Sequence, residues 1–304
     1  MKRFDVIGFG ALNVDKLFKV NKIAAAEEES FIETCVEACG GSAANTTIGL
    51  ARLGCKAGFI GKIGCDKNGA ALLEDFCKEG VDTSGVIRAK CGKSGSVLGF
   101  VDKDGARALC IDSGVNDTVK LSEVDAAYAA QAQFLHLTSF VGETSFQTQQ
   151  KLLAALPESI KVSFDPGVLY AKKGLDQLEP IIERTYVLMP NFIELELLAG
   201  TKDYCKGAEL LIGTGAKIVA VKLGGDGCYV TDGRKGHVIE AFKVKVVDTT
   251  GAGDAFCAGF LYGLLGRRSL YDCGRLGNFV ASRCAMKMGA RKGLPFAKDL
   301  EALH

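Results

Sequence analysis

This 304-residue chain lacks an excess of charge of either sign: 37 basic and 36 acidic residues leave a formal net charge of +1. Without a basic arm or stripe, a nucleic-acid or membrane-surface partner has no electrostatic support. No apolar run approaches the length of a membrane span. The 12 cysteines are scattered singly, and even the nearest pair, Cys35 and Cys39, forms no C-x-x-C and has no histidine beside it. Zinc and redox motifs are thereby unsupported. Met1 to Val14 is a charged start followed by a short apolar strand with no cleavage-site pattern, which reads against a secretory signal. Reduced thiols in a cytoplasmic protein are therefore expected. Asn45-Thr46-Thr47 and Asn116-Asp117-Thr118 match the glycosylation pattern by chance alone on that reading.

Glycine, at 38 residues, is abundant, and many glycines fall at the ends of apolar runs. That pattern suits an α/β enzyme built on close loops. The length allows one α/β domain with an appendage, or two domains.

The most informative stretch is Val247-Asp248-Thr249-Thr250-Gly251-Ala252-Gly253-Asp254-Ala255-Phe256, which opens an apolar helical pattern through Phe260, Leu261, Leu264 and Leu265. A helix start leaves backbone N–H groups unpaired and carries partial positive charge, so it attracts anions. Gly-Ala-Gly begins a helix poorly on propensity alone, but it lets a ligand approach the backbone where a Cβ would intrude. Asp254 then places a carboxylate in the first turn, beside that anion pocket. The structural alternative is that Asp254 merely favours the helix dipole while Thr249 or Thr250 caps the helix.

Asp-Thr-Thr-Gly-Ala-Gly-Asp resembles the signature of the ribokinase-like, phosphofructokinase-B type carbohydrate kinases. Other stretches agree in chain order. Phe4–Gly10 reads as a buried strand, with Asn13 and Asp15 in the loop just beyond it; the resemblance implies that these two hold sugar hydroxyls. Gly40-Gly41-Ser42-Ala43-Ala44-Asn45 leads into a helix and resembles the family's first signature, in which the glycine pair and Asn45 contact the sugar. Two rival fingerprints fail: Asn13 stands where the third glycine of a dinucleotide motif should be, and Ile87 where a P-loop needs its first glycine. A hydride-transfer enzyme is disfavoured accordingly.

Val97–Val101 and Ala106–Ile111 flank Asp102-Lys103-Asp104-Gly105, a strong hairpin signal. The resemblance implies that such a hairpin, with the segment from Leu17 to Val36, forms a small β lid; the lid insertions run at about 16–37 and 95–112. Arg107 on this hairpin could reach an acidic or phosphorylated substrate, and the lid edge could pair with a second copy. From Ala132 onward strands and helices alternate, which argues a mostly parallel sheet covered on both faces. Glu143, just past a strand end, is a candidate substrate contact.

Asn191-Phe192-Ile193-Glu194 is a capping box by its spacing. The resemblance adds that Asn191 and Glu194 organise magnesium through its waters near the triphosphate. Lys222, Gly224 and Gly227 resemble the family's nucleotide loop, and Asn278 stands where the family packs against adenine. Backbone carbonyls near Asp248, Thr250 and Gly289 would bind a potassium-like ion.

The resemblance therefore implies a three-layer α/β sandwich over residues 1–304, with a mostly parallel central sheet and a small β lid. It implies ATP-dependent phosphorylation of a small sugar, with magnesium and a nucleoside as the alternative acceptor. Asp254 would accept the hydroxyl proton, for which its pKa need not be raised much. The N–H groups of Gly251, Ala252 and Gly253 would stabilise phosphoryl charge. A non-catalytic sensor would require loss of the base or anion pocket, and both are present.

Overall fold

The computed structural model describes residues 2–103 and 107–303. In chain order the elements are β1 (Phe4–Phe9), β2 (Asn13–Val20), β3 (Ile32–Gly40), α1 (Ser42–Arg52), β4 (Ala57–Ile63), α2 (Lys67–Lys78), β5 (Asp82–Arg88), β6 (Gly95–Val101) and β7 (Arg107–Asp112). Next come α3 (Ala126–Ala129), β8 (Ala132–Thr138), α4 (Glu143–Ala155), β9 (Lys161–Asp165), α5 (Gly167–Ala171), α6 (Leu175–Ile182), β10 (Thr185–Leu188), α7 (Phe192–Ala199) and α8 (Tyr204–Gly213). The chain continues with β11 (Ile218–Lys222), β12 (Cys228–Thr231), β13 (Gly236–Ile239), α9 (Ala252–Leu265) and α10 (Leu270–Ala285).

Nine strands form one sheet in the order β13-β12-β11-β10-β9-β8-β1-β4-β5. All its pairings are parallel except those of β12 and β13, which fold back as an antiparallel edge. Strands buried on both faces must be apolar throughout, and β1 shows why. Its Ile7 and Phe9 enter one apolar core while Val6 enters the other, on the opposite face. This is the layered α/β architecture that the resemblance implies. Strand order reverses at β1, with β4 on one side and β8 on the other, and such a switch point opens a crevice at the strands' carboxyl ends.

Helix α9 is apolar around most of its circumference because it is enclosed between α1, α10 and the sheet. Its Gly259 lies against the backbone of α10, where a Cβ would overlap the carbonyl oxygen of Leu276. Close approach of the two helices therefore fixes α9, and with it the start that carries Asp254.

A second sheet, in the order β3-β2-β6-β7, stands apart from the first. Asn13 and Asp15 are its opening residues, not part of a loop; pairing with Gly40 and Gly95 extends the chain directly from the crevice into a strand. The hairpin turn expected at Asp102–Gly105 falls partly on residues 104–106, outside those described. Strand β5 and helix α6 had no separate signal in the sequence reading. No helix among the described residues is long and apolar enough to cross a membrane.

Candidate active site

Three adjoining cavities line the crevice. The first, of about 140 Å³, lies between the start of β2, the start of α1 and the end of β8. Alternation along β2 puts Asn13 and Asp15 on one face. The Asn13 side-chain oxygen accepts from Asn116 Nδ2 at 2.9 Å, and buried Asn116 is itself fixed by the Leu12 backbone. Gly41 adopts φ 109°, and a Cβ there would overlap the carbonyl oxygen of Ala11. Gly40 is likewise pressed under the Asp15 carboxylate. Burial pushes the Asp15 carboxyl up to about 6, against the opposing charge of Arg291. Ser42, Ser113, Asp117, Thr138 and Ser139 complete the polar wall, and Ile111, Val141 and Leu169 the apolar one.

The second cavity, of about 160 Å³, shares Ser42, Thr138 and Ser139 with the first. Asp254 lines it from the first turn of α9. Its Oδ2 accepts from Asn45 Nδ2 at 2.8 Å, and Thr46 Oγ1 donates to its backbone carbonyl. Burial raises the Asp254 carboxyl to about 7. The Asn45 hydrogen bond opposes that rise, Asp165 adds to it, and Lys222 and Arg291 resist it. The Asp254 carboxyl is thus shifted further than its expected role requires. Gly251 caps α9 with φ 76°, against Ala290. One expected anion donor is already spent: the Ala252 N–H closes a turn on the Thr249 carbonyl at 3.1 Å. Gly251 and Gly253 remain as the backbone donors of the helix start.

Asn191 and Glu194 also face this cavity, and they close the capping box as well. Asn191 Oδ1 accepts from the Glu194 N–H at 2.9 Å, while the two Glu194 oxygens accept from Asn191 N and Nδ2 at 2.8 Å each. Burial pushes Glu194 up to about 7, and neighbouring Asp165 adds to the shift while Lys222 opposes it. Asp165, at the end of β9, accepts from Lys222 Nζ at 2.6 Å. Burial disfavours the Lys222 charge, yet Asp165, with Cys257 and Glu194, holds its ammonium above the ordinary value. Two mutually repelling carboxylates and an amide on one wall are a donor set that fits a divalent cation carrying its own waters.

The third cavity, of about 230 Å³, shares Lys222 and Gly253 with the second. Gly224, Gly225, Gly227 and Thr249 form its polar end; Phe242, Val244, Val246, Phe256 and Ala281 form an apolar slot. Asn278 lines it, but its buried Nδ2 donates to the Ile239 and Glu240 carbonyls at 3.0 Å, so it braces the slot's wall. Next to this cavity, Asp248 accepts from Thr250 N and Oγ1 and from Gly289 N, which stitches together the two loops expected to supply carbonyls to a monovalent ion.

One expected substrate contact does not join the site. Glu143 faces outward, with 56% of its side chain exposed, bonded to Lys173 at 2.8 Å and to Gln147. Its position at the start of α4 turns it away from the cavities. Arg107 opens β7, four residues from cavity-lining Ile111, and its side chain lies outside those described. Conversely, Ser42, Thr138, Ser139, Asp165 and Gly167 line the second cavity without having been singled out. Asp165-Pro166-Gly167 at a strand end was the one available signal among them.

A profile described as pfkB family carbohydrate kinase matches residues 4–297. The chain is 47% identical over 252 residues to an uncharacterized sugar kinase of Archaeoglobus fulgidus, covering 83% of this chain and 100% of that one. It is 34% identical over 256 residues to the ATP-dependent ribose-1-phosphate kinase of Halopiger xanaduensis, covering 84% and 83%. Among solved structures, the ribokinase of Thermotoga maritima superposes with a TM-score of 0.86 at 28% identity, covering 98% of each chain.

Proposed function

Since this chain belongs to the pfkB family of carbohydrate kinases, we propose that it transfers the γ-phosphoryl group of ATP to a hydroxyl of a small neutral sugar. The observation that carries this reading is the position of Asp254. It lies in a cavity that shares one wall with a hydroxyl-lined pocket and another with an apolar slot.

The acceptor would rest against Asn13, Asp15, Gly41 and Ser42, and the adenine in the slot beside Asn278. Asp254 Oδ1, the oxygen not held by Asn45, would take the hydroxyl proton as the bond to phosphorus forms. A base near pH 7 has the proton affinity this step favours at neutral pH. The Gly251 and Gly253 N–H groups, with the Lys222 ammonium beside Gly253, would stabilise charge on the phosphoryl oxygens. Asn191 and Glu194 would hold magnesium through water, and that ion supplies neutralisation of the phosphates. Backbone carbonyls of Asp248, Thr250 and Gly289 would hold a potassium ion. The small sheet would act as a lid that keeps water from competing with the sugar. Its exposed Ile32, Val36 and Leu109, with Phe31 just before β3, suit burial against a second copy.

Charge argues for a neutral acceptor. Asp117, Asp165, Glu194 and Asp254 line the first two cavities, and Lys222, the one cation among their described lining residues, is paired with Asp165. A sugar acid or sugar phosphate would meet carboxylates there. A second reading, a nucleoside acceptor, is favoured by one observation: Ile111, Val141 and Leu169 leave apolar surface exposed at the first cavity.

ADP release with ATP, magnesium and potassium, measured across ribose, fructose, ketodeoxygluconate, ribose 1-phosphate, adenosine and cytidine, tests both readings. Turnover with a neutral sugar is expected, and Asp254→Asn should lower it by roughly a hundredfold or more with ATP affinity nearly intact. Turnover confined to an anionic acceptor would overturn the charge argument, and unchanged turnover in Asp254→Asn would remove the base.

A further inference from the structure

On the reading that Asp254 is the base, we infer that Arg291 is a positioning residue of the transfer site, acting on Asp254 through Asn45. Arg291 follows α10 and lies 246 residues from Asn45 in sequence, yet its Nε donates to Asn45 Oδ1 at 2.7 Å. The other end of the same amide, Nδ2, donates to Asp254 Oδ2 at 2.8 Å. An amide offers one acceptor and one donor group. Reversed, it would set N–H groups against the guanidinium and a carbonyl against the carboxylate. Arg291 therefore fixes which way Asn45 points, and Asn45 in turn holds one oxygen of Asp254 and leaves the other for the acceptor's proton.

The brace is itself anchored. Arg291 Nη1 pairs with Asp75 of α2, and the Arg291 carbonyl accepts from Arg52 Nη1 at 2.6 Å. Arg52 is held in turn by both oxygens of Glu79. Arg291 lines none of the three cavities, so its hydrogen-bonded route to the chemistry runs through Asn45, beside the direct pull of its charge on Asp254. Its Nη2 is buried with no hydrogen-bond partner among the described residues. A buried donor left unmade is costly, and an apolar side chain would fill the same space without that cost. An arginine kept here for packing alone has no such justification. The same geometry gives Asn45 a further role: its amide orients the base, while one N–H and one lone pair remain for the sugar.

The test uses steady-state kinetics of the full-length enzyme with ATP and whichever acceptor in the panel above the wild type turns over. Arg291→Met removes the guanidinium. Arg291→Lys keeps the charge but cannot span Asn45 and Asp75 with a rigid fork. Each should lower kcat by about tenfold or more, because a slightly displaced base costs rate far out of proportion to its movement. KM for ATP and acceptor should stay within about threefold, and the melting temperature of Arg291→Lys within about 3 °C. In an Asn45→Ala background, Arg291→Lys should cost less than about twofold, since its route to the base is gone. An unchanged kcat in Arg291→Lys would overturn the inference, as would losses from the two substitutions that simply multiply. Should Arg291→Met fail to fold, the lysine variant and the double variant still decide the matter. Asp254→Asn separates the two levels. If it keeps full turnover, the base assignment itself falls; if only the Arg291 variants do, this inference alone falls.

Discussion

Lys222 and Asp165, 57 residues apart in sequence, form an ion pair at 2.6 Å with 12% and 9% of their side chains exposed. The pair sits where the second and third cavities join, and Lys222 Nζ is the nearest heavy atom to the Cβ that Gly253 lacks. Charges this deeply buried are tolerated as a pair and are costly singly. Lys222→Met should therefore lower stability by about 3–5 kcal/mol, or roughly 5–10 °C in melting temperature. It should also cut turnover, because Asp165 is left unpaired beside Glu194 and Asp254. Lys222→Met with Asp165→Leu should regain most of the melting temperature and none of the turnover. A double variant as active as wild type would show that the pair is structural only.

The raised carboxyl of Asp254 predicts opposite effects of pH on rate and stability. As the proposed base it must be ionised, so kcat/KM should fall about tenfold per pH unit below about 7. For stability, a folded-state pKa raised from 3.8 to about 7 favours the folded protein in the protonated form. That contribution is complete below the unfolded value and lost as pH rises through about 7. At pH 8 the ionised, buried group costs at most about 4 kcal/mol, taking about 1.4 kcal/mol per pKa unit. Asp254→Asn should therefore melt higher than wild type, with a larger gain at pH 8 than at pH 5. An equal gain at both would place the shift elsewhere.

Gly227 adopts φ 97°, and a Cβ there would overlap the carbonyl oxygen of Ile239. Gly227→Ala should displace the turn after β11 and raise KM for ATP by about tenfold or more, with little change in KM for the acceptor. Gly213→Ala, in the last turn of α8 with open space around it, serves as the control and should be neutral or slightly stabilising.

Glu143 provides a negative prediction. Exposed and paired with Lys173 on the surface, it should be replaceable by alanine with kcat/KM changed by less than about twofold, as surface ion pairs contribute little. A tenfold loss of activity, measured on the same acceptor, would return it to the site.

Much of this protein was legible in its sequence, for a local reason. The helix start at Gly251–Asp254, the capping box of Asn191 and Glu194, and the strand–helix alternation each depend on residues within a turn or two of one another. Backbone dihedrals, unpaired N–H groups and side-chain periodicity act over that range, so spacing alone reveals them. The order of the motifs then pointed to the family and its layered fold. What required the tertiary structure is everything set by which strands become neighbours. Asn13 and Asp15 open a strand because Gly40 and Gly95 pair with β2 from elsewhere in the chain. Glu143 stands beyond a strand end as the sequence indicated, yet packing of α4 points it at Lys173. Asp165 meets Lys222, Asn45 meets Asp254, and Arg291 meets Asn45 across separations of 57, 209 and 246 residues. No local propensity encodes such meetings. They follow from burying two apolar faces of one sheet at once, which brings β9 beside β10 and β10 beside β11, and places α1 against α9.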